Sequence, residues 1–321
     1  MKDKKDLYIN LLTISKKIGL PVKKITDFLF LLKGGKPIEN NELIKRLGIS
    51  RNVLNQVKES LSFLFLPVTE NTQIANSQII SIESIFENNY RLEESILDIE
   101  IATSFEELLQ KRMEPVRKYD QFTATPETVS RRVNLLNFLG DIRGKRILFL
   151  GDDDFTSVLT AGLDISKRIV VLDIDSRILN SINDISAENN FNIEIFEHDL
   201  KNPLPKEMVG KFDVVFTDPP YTPEGINVFT SRAIDALDKN NLTARIYFCY
   251  GNSDRAKERF LPIYEIVVQS GLMVRYVFDK FNRYTGAESI GSSSSLFITE
   301  VTPKTKAVIK GEYEKPIYTN N

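Results

Sequence analysis

The sequence predicts an α/β fold, a mainly parallel sheet with helices on both faces, preceded by a small and mainly helical domain. Two observations lead to this prediction. From Arg146 onward, short apolar runs alternate with amphipathic helical patterns, as in strand–helix–strand units. Acidic residues follow four of the predicted strands directly, and sites in such sheets lie at the carboxyl ends of strands.

Residues 1–110 are predicted to form a helical, winged-helix-like N-terminal domain that ends in a linker helix. Apolar residues at near-helical spacing predict helix over residues 7–33, with a break at Pro21 and an end at Gly34-Gly35. Residues 90–112 are charged and amphipathic, which indicates the linker helix between the two halves.

A helix-turn-helix pattern lies inside this first domain. The stretch 42–50 predicts a short helix, a turn at Gly48 and an N-cap at Ser50, and a second apolar-periodic helix follows. The apolar-polar segments 63–68 and 79–85 that follow are the candidates for a wing.

The predicted recognition helix carries Arg51 and Lys58 but also Glu59, and the whole chain has a formal net charge of −2. Contacts to phosphates dominate the affinity of DNA-binding proteins, so this charge balance disfavours nucleic acid as a partner. The alternative is an interaction module that reuses the fold, and such a module is compatible with a homodimer.

Residues 111–301 are predicted to form the α/β domain, and residues 302–321 a flexible C-terminal tail. Thr125 is a predicted N-cap with Pro126 at the first helical position. The predicted strands are residues 147–150, 168–172, 193–196, 212–216, 244–250, 273–278 and 295–301. The predicted helices between them are residues 156–163, 176–188, 226–237 and 262–270.

Composition excludes several classes of protein. No apolar run is long enough to span a bilayer, and the N-terminus is rich in Lys and Asp rather than apolar. The single cysteine, Cys249, excludes an internal disulfide and suits a reducing compartment. One Cys and one His also argue against a zinc site. We therefore expect a cytoplasmic protein without a membrane segment or a metal site.

The turn after the first strand of the α/β domain is acidic, with the sequence Gly151-Asp152-Asp153-Asp154. In nucleotide-binding α/β folds this turn is normally rich in glycine, because an anion or a close backbone approach is expected there. Three Asp residues indicate instead that the site binds positive charge. A metal ion is disfavoured, because three adjacent side chains cannot all point at one ion without distorting the turn.

Carboxylates also follow the second and third strands. Asp173 lies about twenty residues after the first turn, where a carboxylate can accept the ribose hydroxyls of a bound nucleoside. The alternative role for Asp173 is a helix N-cap, although Asp175 suits that role better. Asp199 ends the third strand, where an adenine amino group would lie, and the adjacent His198 is interpreted as a packed surface residue.

Asp218-Pro219-Pro220-Tyr221 follows the fourth strand. The two prolines stiffen the turn and hold the carboxylate and the ring in a fixed relation. The motif resembles the one with which amino-group methyltransferases hold a nitrogen nucleophile. Together with the strand-end carboxylates, it indicates a class I methyltransferase-like fold of the Rossmann type.

The acidic turn departs from that pattern. Methyltransferases have glycines here, close to the methionine carboxylate of S-adenosylmethionine, and three Asp residues would repel that carboxylate. Decarboxylated S-adenosylmethionine lacks the carboxylate and is a dication, which the same carboxylates would attract. This donor transfers an aminopropyl group to polyamines, which are themselves cations.

The two acidic motifs, Gly151–Asp154 and Asp218–Thr222, together with the winged-helix-like first domain resemble the branched-chain polyamine synthases, also called N4-bis(aminopropyl)spermidine synthases. The resemblance implies a methyltransferase-like aminopropyltransferase domain that uses decarboxylated S-adenosylmethionine as co-substrate and has no permanently bound cofactor. It also implies transfer to the internal secondary amine of spermidine. The first transfer would give N4-aminopropylspermidine, and the second would give N4-bis(aminopropyl)spermidine.

A protonated amine is not a nucleophile, so a carboxylate must accept its proton or hold the neutral form. Asp154 is the predicted catalytic carboxylate, because it matches the single Asp in the turn of the linear spermidine synthases. Asp218 is the second predicted catalytic residue, and it is predicted to close the site together with Tyr221. Tyr221 and Thr222 are both predicted to bind substrate.

Further residues complete the predicted site. Asp152 and Asp153 are expected to bind terminal ammonium groups or to cap the following helix, and Gly151 supplies the backbone geometry of the donor site. Tyr119 and Gln121 precede the first helix and strand of the α/β domain, at a position where aminopropyltransferases hold substrate. Residues 281–292 form a polar loop that is either a lid bearing Glu288 or a plain hairpin connection.

Two rival functions remain at this point. An amino-group methyltransferase acting on nucleic acid or protein would keep the fold and the Asp218 motif, but it would place three Asp residues beside a cofactor carboxylate. A winged-helix regulator that senses a polyamine or nucleoside without catalysis would not need the full set of strand-end carboxylates.

Overall fold

The computed structural model describes residues 2–67, 70–86, 89–98, 105–251, 257–286 and 292–319 of the chain. The chain separates into two compact units, the first of residues 1–99 and 138–140 and the second of residues 100–137 and 141–321. The predicted domain boundary after residue 110 therefore lies inside the second unit. Within the described ranges, no helix is both long enough and apolar enough to cross a membrane.

The first unit packs its helices around an apolar core. Leu11, Ile25, Leu29 and Leu43 are fully buried in it. Its strands β1 and β2 pair in an antiparallel ladder. The elements are α1 Lys2–Ile18, α2 Val22–Leu32, β1 Ile38–Glu39, α3 Asn40–Leu47, α4 Arg51–Ser60, β2 Asn71–Thr72 and α5 Ile79–Glu83, with 3₁₀ turns at Ser62–Leu64, Asn76–Gln78 and Glu93–Asp98.

The helix-turn-helix details of this unit are confirmed. Gly48 ends α3 in the left-handed conformation, with φ of 61°. The Ser50 hydroxyl accepts a hydrogen bond from the Val53 amide at the start of α4.

Of the two segments predicted to supply a wing, residues 79–85 differ from the prediction, because residues 79–83 form α5. In the other segment, residues 62–64 form a 3₁₀ turn, Phe65 pairs with Ile74 in an antiparallel bridge, and Val68 lies outside the described residues. The winged-helix assignment itself stays a prediction.

The predicted linker helix over residues 90–112 also differs from the structure. Its described residues form two separate 3₁₀ segments, Glu93–Asp98 and Glu106–Lys111. The backbone leaves helical geometry at Ser95, and Phe105 has a left-handed φ of 64°. Charge periodicity alone therefore overestimated the helix here.

The second unit has the predicted strand–helix alternation. Its seven-stranded sheet has the order β5-β4-β3-β6-β7-β9-β8, in which β9 runs antiparallel to its two neighbours. This order confirms the class I methyltransferase-like fold. The elements are α6 Pro126–Phe138, β3 Arg146–Leu150, α7 Thr156–Gly162, β4 Arg168–Asp173, α8 Ser176–Asn189, β5 Ile193–Glu197, β6 Val214–Thr217, α9 Pro223–Ala236, β7 Arg245–Gly251, α10 Leu261–Gln269, β8 Met273–Arg283 and β9 Ser293–Glu300, with 3₁₀ turns at Glu106–Lys111, Arg117–Tyr119 and Lys257–Phe260.

The register of the central strands brings the acidic motifs together. Leu150 at the end of β3 pairs with Leu172 of β4 and with Thr217 of β6. Asp173 and the turn that starts at Gly151 therefore emerge beside Asp218 at the same edge of the sheet. The strand order also reverses between β3 and β6, which is where open α/β sheets bind ligands.

The C-terminal segment, predicted to be a flexible tail, packs against the second unit. Ile317 is 1% exposed, and its carbonyl accepts a hydrogen bond from the Thr222 hydroxyl at 2.7 Å. The carbonyl of Gly311 accepts from the buried Arg232 at 2.6 Å. This segment has no helical or strand periodicity, so the sequence pattern did not show that it would be fixed by buried anchors and backbone hydrogen bonds.

Candidate active site

An open cavity lies at the carboxyl ends of β3, β4 and β6, and the space between its atoms, including the part open to solvent, is about 470 Å³. Three of its lining residues are the carboxylates Asp153, Asp173 and Asp218, and the described lining contains no Lys or Arg. The charge of the lining therefore favours a cationic ligand. The other lining residues are Tyr119, Gln121, Gly151, Leu172, Ile174, His198, Leu200, Pro220, Phe229 and Tyr318.

Asp152 caps the helix that follows the acidic turn. Its two carboxylate oxygens accept hydrogen bonds from the amides of Thr156 at 2.9 Å and Ser157 at 3.0 Å. Burial raises the pKa of Asp152 to about 8, although the hydrogen bonds from Ser157 oppose this rise. Of the two roles predicted for Asp152, the structure gives it the capping one. Gly151 takes the left-handed conformation that the turn requires, with φ of 70°.

Asp154 is the predicted base, but its carboxylate faces away from the cavity into the protein. It is 3% exposed and is not part of the described lining. One oxygen accepts from the Ala124 amide at 2.6 Å, and the other accepts from Arg132 Nη1 at 2.7 Å. Burial raises the pKa of Asp154, and the positive charge of Arg132 opposes that rise. This arrangement differs from the prediction, because both oxygens already have strong donors.

Asp153 is the carboxylate of the acidic turn that faces the cavity. Within the described residues, its side chain has no hydrogen bond or ion pair, in contrast to Asp152 and Asp154 on either side. Burial raises the pKa of Asp153 well above its ordinary value, and the negative charges of Asp154, Asp173 and Asp218 raise it further. Asp153 is therefore the carboxylate best placed to exchange a proton with a ligand.

Asp218 is held by two tyrosines and an arginine. Its Oδ1 accepts from the Tyr221 hydroxyl at 2.8 Å, and its Oδ2 accepts from the Tyr284 hydroxyl at 2.6 Å and from Arg132 Nη2 at 2.8 Å. The predicted pairing of Asp218 with the ring of Tyr221 is therefore present. Gly251 allows the ring to approach, because a Cβ at this position would lie 2.5 Å from the Tyr221 ring.

Thr222 has a different role from the predicted one. Its hydroxyl accepts from the Gly225 amide at 2.9 Å and so caps α9. The same hydroxyl donates to the Ile317 carbonyl. Thr222 is absent from the described lining, so it supports the motif without facing the cavity.

The sequence patterns did not predict two residues of this network, Arg132 and Tyr284. Arg132 is 1% exposed, and its guanidinium also donates to Asn282 Oδ1 at 2.8 Å and to the Tyr284 hydroxyl at 3.1 Å. The burial of Arg132 was predictable from its spacing. It lies three residues after Val129 and four before Leu136, which are both buried, and so on the apolar face of α6. Tyr284 has no such spacing, since it lies in the loop that was interpreted as a lid.

The other end of the cavity is formed by residues after β4 and β5. Asp173 accepts from the Asp175 amide at 2.8 Å and from the Asp152 amide at 3.0 Å. Burial raises the pKa of Asp173 to about 6, although these amides oppose the rise. Asp175 caps α8 as predicted. His198 is half-buried and lines the cavity, and its interpretation as a packed residue without a catalytic role stays a prediction.

Asp199 is not in the described lining, and its carboxylate accepts from the Lys201 amide at 2.9 Å. It lies near Tyr318, whose pKa is raised first by burial and then by the negative charge of Asp199. The adenine-binding role of Asp199 stays a prediction.

Gln121 and Tyr119 both line the cavity, as the sequence predicted. Gln121 is fixed by two hydrogen bonds, one from the Val116 amide at 2.8 Å and one to Asp175 at 3.2 Å. The ring of Tyr119 packs edge-on against the ring of Tyr318, with centroids 5.7 Å apart. The C-terminal segment therefore completes this wall of the cavity.

The predicted lid is only partly described. Residues 281–283 belong to β8, and Tyr284 pairs with Ala124 in a β-bridge. Glu288 lies outside the described residues, as do its neighbours from 287 to 291. Within the described part of the chain, no group of three or more His, Cys, Asp or Glu side chains could hold a metal ion.

Several known proteins are similar to this chain. Residues 100–319 match the family model described as the branched-chain polyamine synthase A C-terminal domain. An uncharacterized protein of Methanocaldococcus jannaschii is 40% identical over 200 residues, which are 62% of this chain and 49% of that protein. The N(4)-bis(aminopropyl)spermidine synthase of Thermococcus kodakarensis is 36% identical over 187 residues, which are 58% of this chain and 53% of that enzyme. The chain thus spans about half the length of these curated relatives.

Among solved structures, the branched-chain polyamine synthase of Thermus thermophilus in complex with N4-aminopropylspermidine and 5′-methylthioadenosine has a TM-score of 0.62. It is 22% identical, and the match covers 96% of this chain and 97% of that one. At this identity the similarity shows a shared fold.

Proposed function

The chain belongs to the branched-chain polyamine synthase family, and from this premise we propose that it transfers aminopropyl groups from decarboxylated S-adenosylmethionine to the internal secondary amine of spermidine. The observation that carries the proposal is the charge of the cavity, which has three carboxylates and no cationic side chain in its described lining. The two proposed substrates are both polycations, and the products would be N4-aminopropylspermidine and then N4-bis(aminopropyl)spermidine.

The nucleoside part of the donor would occupy the end of the cavity near Asp173. Each oxygen of Asp173 accepts one backbone amide and keeps a lone pair that can accept a ribose hydroxyl. Apolar side chains of Leu172, Ile174 and Leu200 are available for the adenine ring. The Thermus thermophilus synthase binds 5′-methylthioadenosine, which supports this choice of donor.

The transfer is a displacement at the methylene carbon next to the sulfonium sulfur. The acceptor ammonium first gives a proton to a carboxylate, for which we propose Asp153, and the neutral nitrogen then attacks. A C–N bond forms while the C–S bond breaks, and its electron pair stays on sulfur to leave 5′-methylthioadenosine. Alignment of the two substrates would supply much of the rate.

Asp218 would hold the acceptor chain, since its side chain is 15% exposed and borders the cavity. Tyr221 and Tyr284 fix the carboxylate of Asp218 through their hydroxyls, which lie 2.9 Å apart. The site therefore separates two tasks, because Asp218 is rigidly hydrogen-bonded and Asp153 is open to the ligand.

Nucleoside affinity is expected to depend on pH through Asp173. Its pKa is raised to about 6, so the carboxylate is ionised above that pH and protonated below it. Affinity for 5′-methylthioadenosine should therefore be full near pH 8 and fall as the pH drops through about 6. Calorimetric titration between pH 5 and pH 8 measures this, and Asp173→Asn should bind weakly at every pH. A flat profile for the unchanged protein would contradict the assignment of Asp173.

The function itself is tested by mass spectrometry of the polyamine product. The protein is incubated with spermidine and either S-adenosylmethionine or its decarboxylated form. Aminopropyl addition with the decarboxylated donor is expected, and fragmentation places the new group on the internal nitrogen. Methyl addition with the intact donor would support a methyltransferase instead, and binding of spermidine without turnover would support a sensor.

A further inference from the structure

We propose that Arg132 is a positioning residue, whose single buried guanidinium holds Asp154 and Asp218 as paired anions so that Asp153 is the carboxylate that exchanges the proton with the acceptor amine. The inference rests on the proposed function. It assigns a role to a residue of α6, a helix that precedes the strand-end turns in the chain.

The guanidinium joins segments that are far apart in the chain. Its Nη1 binds Asp154 after β3 at 2.7 Å, its Nη2 binds Asp218 after β6 at 2.8 Å, and its Nε binds Asn282 of β8 at 2.8 Å. Each nitrogen thus has a different partner in a different direction. Arg has such a planar fork of donors, and Lys with its single ammonium does not.

Asp218, Asp154 and Asp153 differ in the number of hydrogen bonds that each carboxylate accepts. Asp218 accepts from Tyr221, Tyr284 and Arg132, and Asp154 accepts from Arg132 and the Ala124 amide. Protonation of either carboxylate would weaken a bond that is already made. Asp153 accepts from no donor within the described residues, so its protonation breaks no bond.

The charges around Asp153 also favour this residue as the proton acceptor. The largest charge effects on Asp153 come from other carboxylates, those of Asp154, Asp173, Asp218 and Asp152, and all of them raise its pKa. Arg132 therefore compensates two carboxylates and leaves the third without an ion pair.

The other titratable groups around Arg132 do not change this balance. Arg112 is a second cation near the cluster, but its Nη1 lies 4.0 Å from Asp154 Oδ1, and Asp154 affects its pKa more strongly than Asp153 does. Cys249 and Tyr284 also face Arg132, and burial keeps both neutral by raising their pKa values.

The test compares Arg132→Gln and Arg132→Lys with the matched control Arg131→Gln. Arg131 is the adjacent residue of α6, but its guanidinium stacks on the Phe281 ring at 4.4 Å and donates to the Phe281 carbonyl. Without Arg132, Asp154 and Asp218 lose the guanidinium that pairs them. The pKa of the buried Asp154 should then rise further, because the positive charge that opposes its rise is gone.

In Arg132→Gln we expect kcat to fall at least 100-fold. We also expect the pH at which kcat/KM declines on the acid side to be higher by at least one pH unit. Arg132→Lys should keep the fold and restore only part of kcat, while the affinity for 5′-methylthioadenosine stays unchanged in both variants. Arg131→Gln should keep the pH of this decline at that of the original protein. A loss of kcat without a shift of this pH, or a parallel loss of nucleoside affinity, would show a merely structural role and overturn the proposal.

A second measurement does not require turnover. Spermidine is titrated calorimetrically in two buffers of different ionisation enthalpy, which counts the protons released on binding. Arg132→Gln should release more protons per site than the unchanged protein, and equal release would overturn the proposal. Spermidine binding without aminopropyl transfer would refute the proposed function while leaving the charge-pairing role measurable. Absence of both binding and transfer would refute both.

Discussion

Replacing Asp153 with Asn is expected to lower kcat by at least about 100-fold, the lower end of the range for loss of a general base. The expected cause is loss of the carboxylate that faces the cavity and takes the proton of the acceptor amine. Stability should not fall, since Asp153 makes no hydrogen bond or ion pair within the described residues and is surrounded by like charges. Rates of product formation and thermal unfolding of the same preparation measure the two effects.

Asp154→Asn is the variant to compare with Asp153→Asn, because it makes the same change at the next residue of the turn. It weakens a buried ion pair with Arg132 and should lower the free energy of unfolding by about 3 kcal/mol, as when one partner of such a pair is removed. Activity measured per folded molecule should fall less than in Asp153→Asn. If Asp153→Asn stays active while Asp154→Asn loses kcat at unchanged stability, Asp154 is the base, as the sequence predicted.

The second large effect concerns the choice of donor. A carboxylate held about 4 Å from Asp153 would be repelled by about 4 kcal/mol at an effective dielectric constant near 20. We therefore expect the protein to bind decarboxylated S-adenosylmethionine at least about 100-fold more tightly than S-adenosylmethionine, since each 1.4 kcal/mol is tenfold in affinity. In Asp153→Asn, the ratio of the two affinities should fall at least tenfold, mostly because S-adenosylmethionine binds more tightly.

Competition against 5′-methylthioadenosine measures both affinities, because this nucleoside carries neither the carboxylate nor the amine. Asp164→Asn serves as the control, since Asp164 is exposed and takes a left-handed φ of 49° that Asn also accepts. An unchanged ratio in Asp153→Asn would show that another group rejects the intact donor.

The strand-end carboxylates were predictable because parallel strands bring their carboxyl ends to one edge of the sheet. The sequence therefore located Asp173, Asp218 and the acidic turn without side-chain information. It did not predict which Asp of the turn faces the ligand. That choice depends on the left-handed backbone of Gly151 and of the fully buried Phe155, and a left-handed φ in a non-glycine residue has no pattern in sequence.

Arg132 and the C-terminal segment show a second limit of prediction from sequence. Their roles depend on contacts between positions far apart in the chain, such as Arg132 with Asp218 and Thr222 with Ile317. Periodicity reports how a segment packs locally, so it cannot identify such partners. The same limit applies to the predicted wing segment at residues 79–85, because residues 79–83 form a short helix.

The charge around the cavity is expected to couple the binding of a cationic ligand to the stability of the folded state. Asp153, Asp173 and Asp218 border the cavity without a cation in its described lining, so the empty protein retains electrostatic repulsion. A bound polycation relieves it, and any ligand that binds only the native state stabilises that state by mass action. If the proposed function holds, the concentration of polyamine should therefore set both the rate of catalysis and the fraction of molecules that are folded.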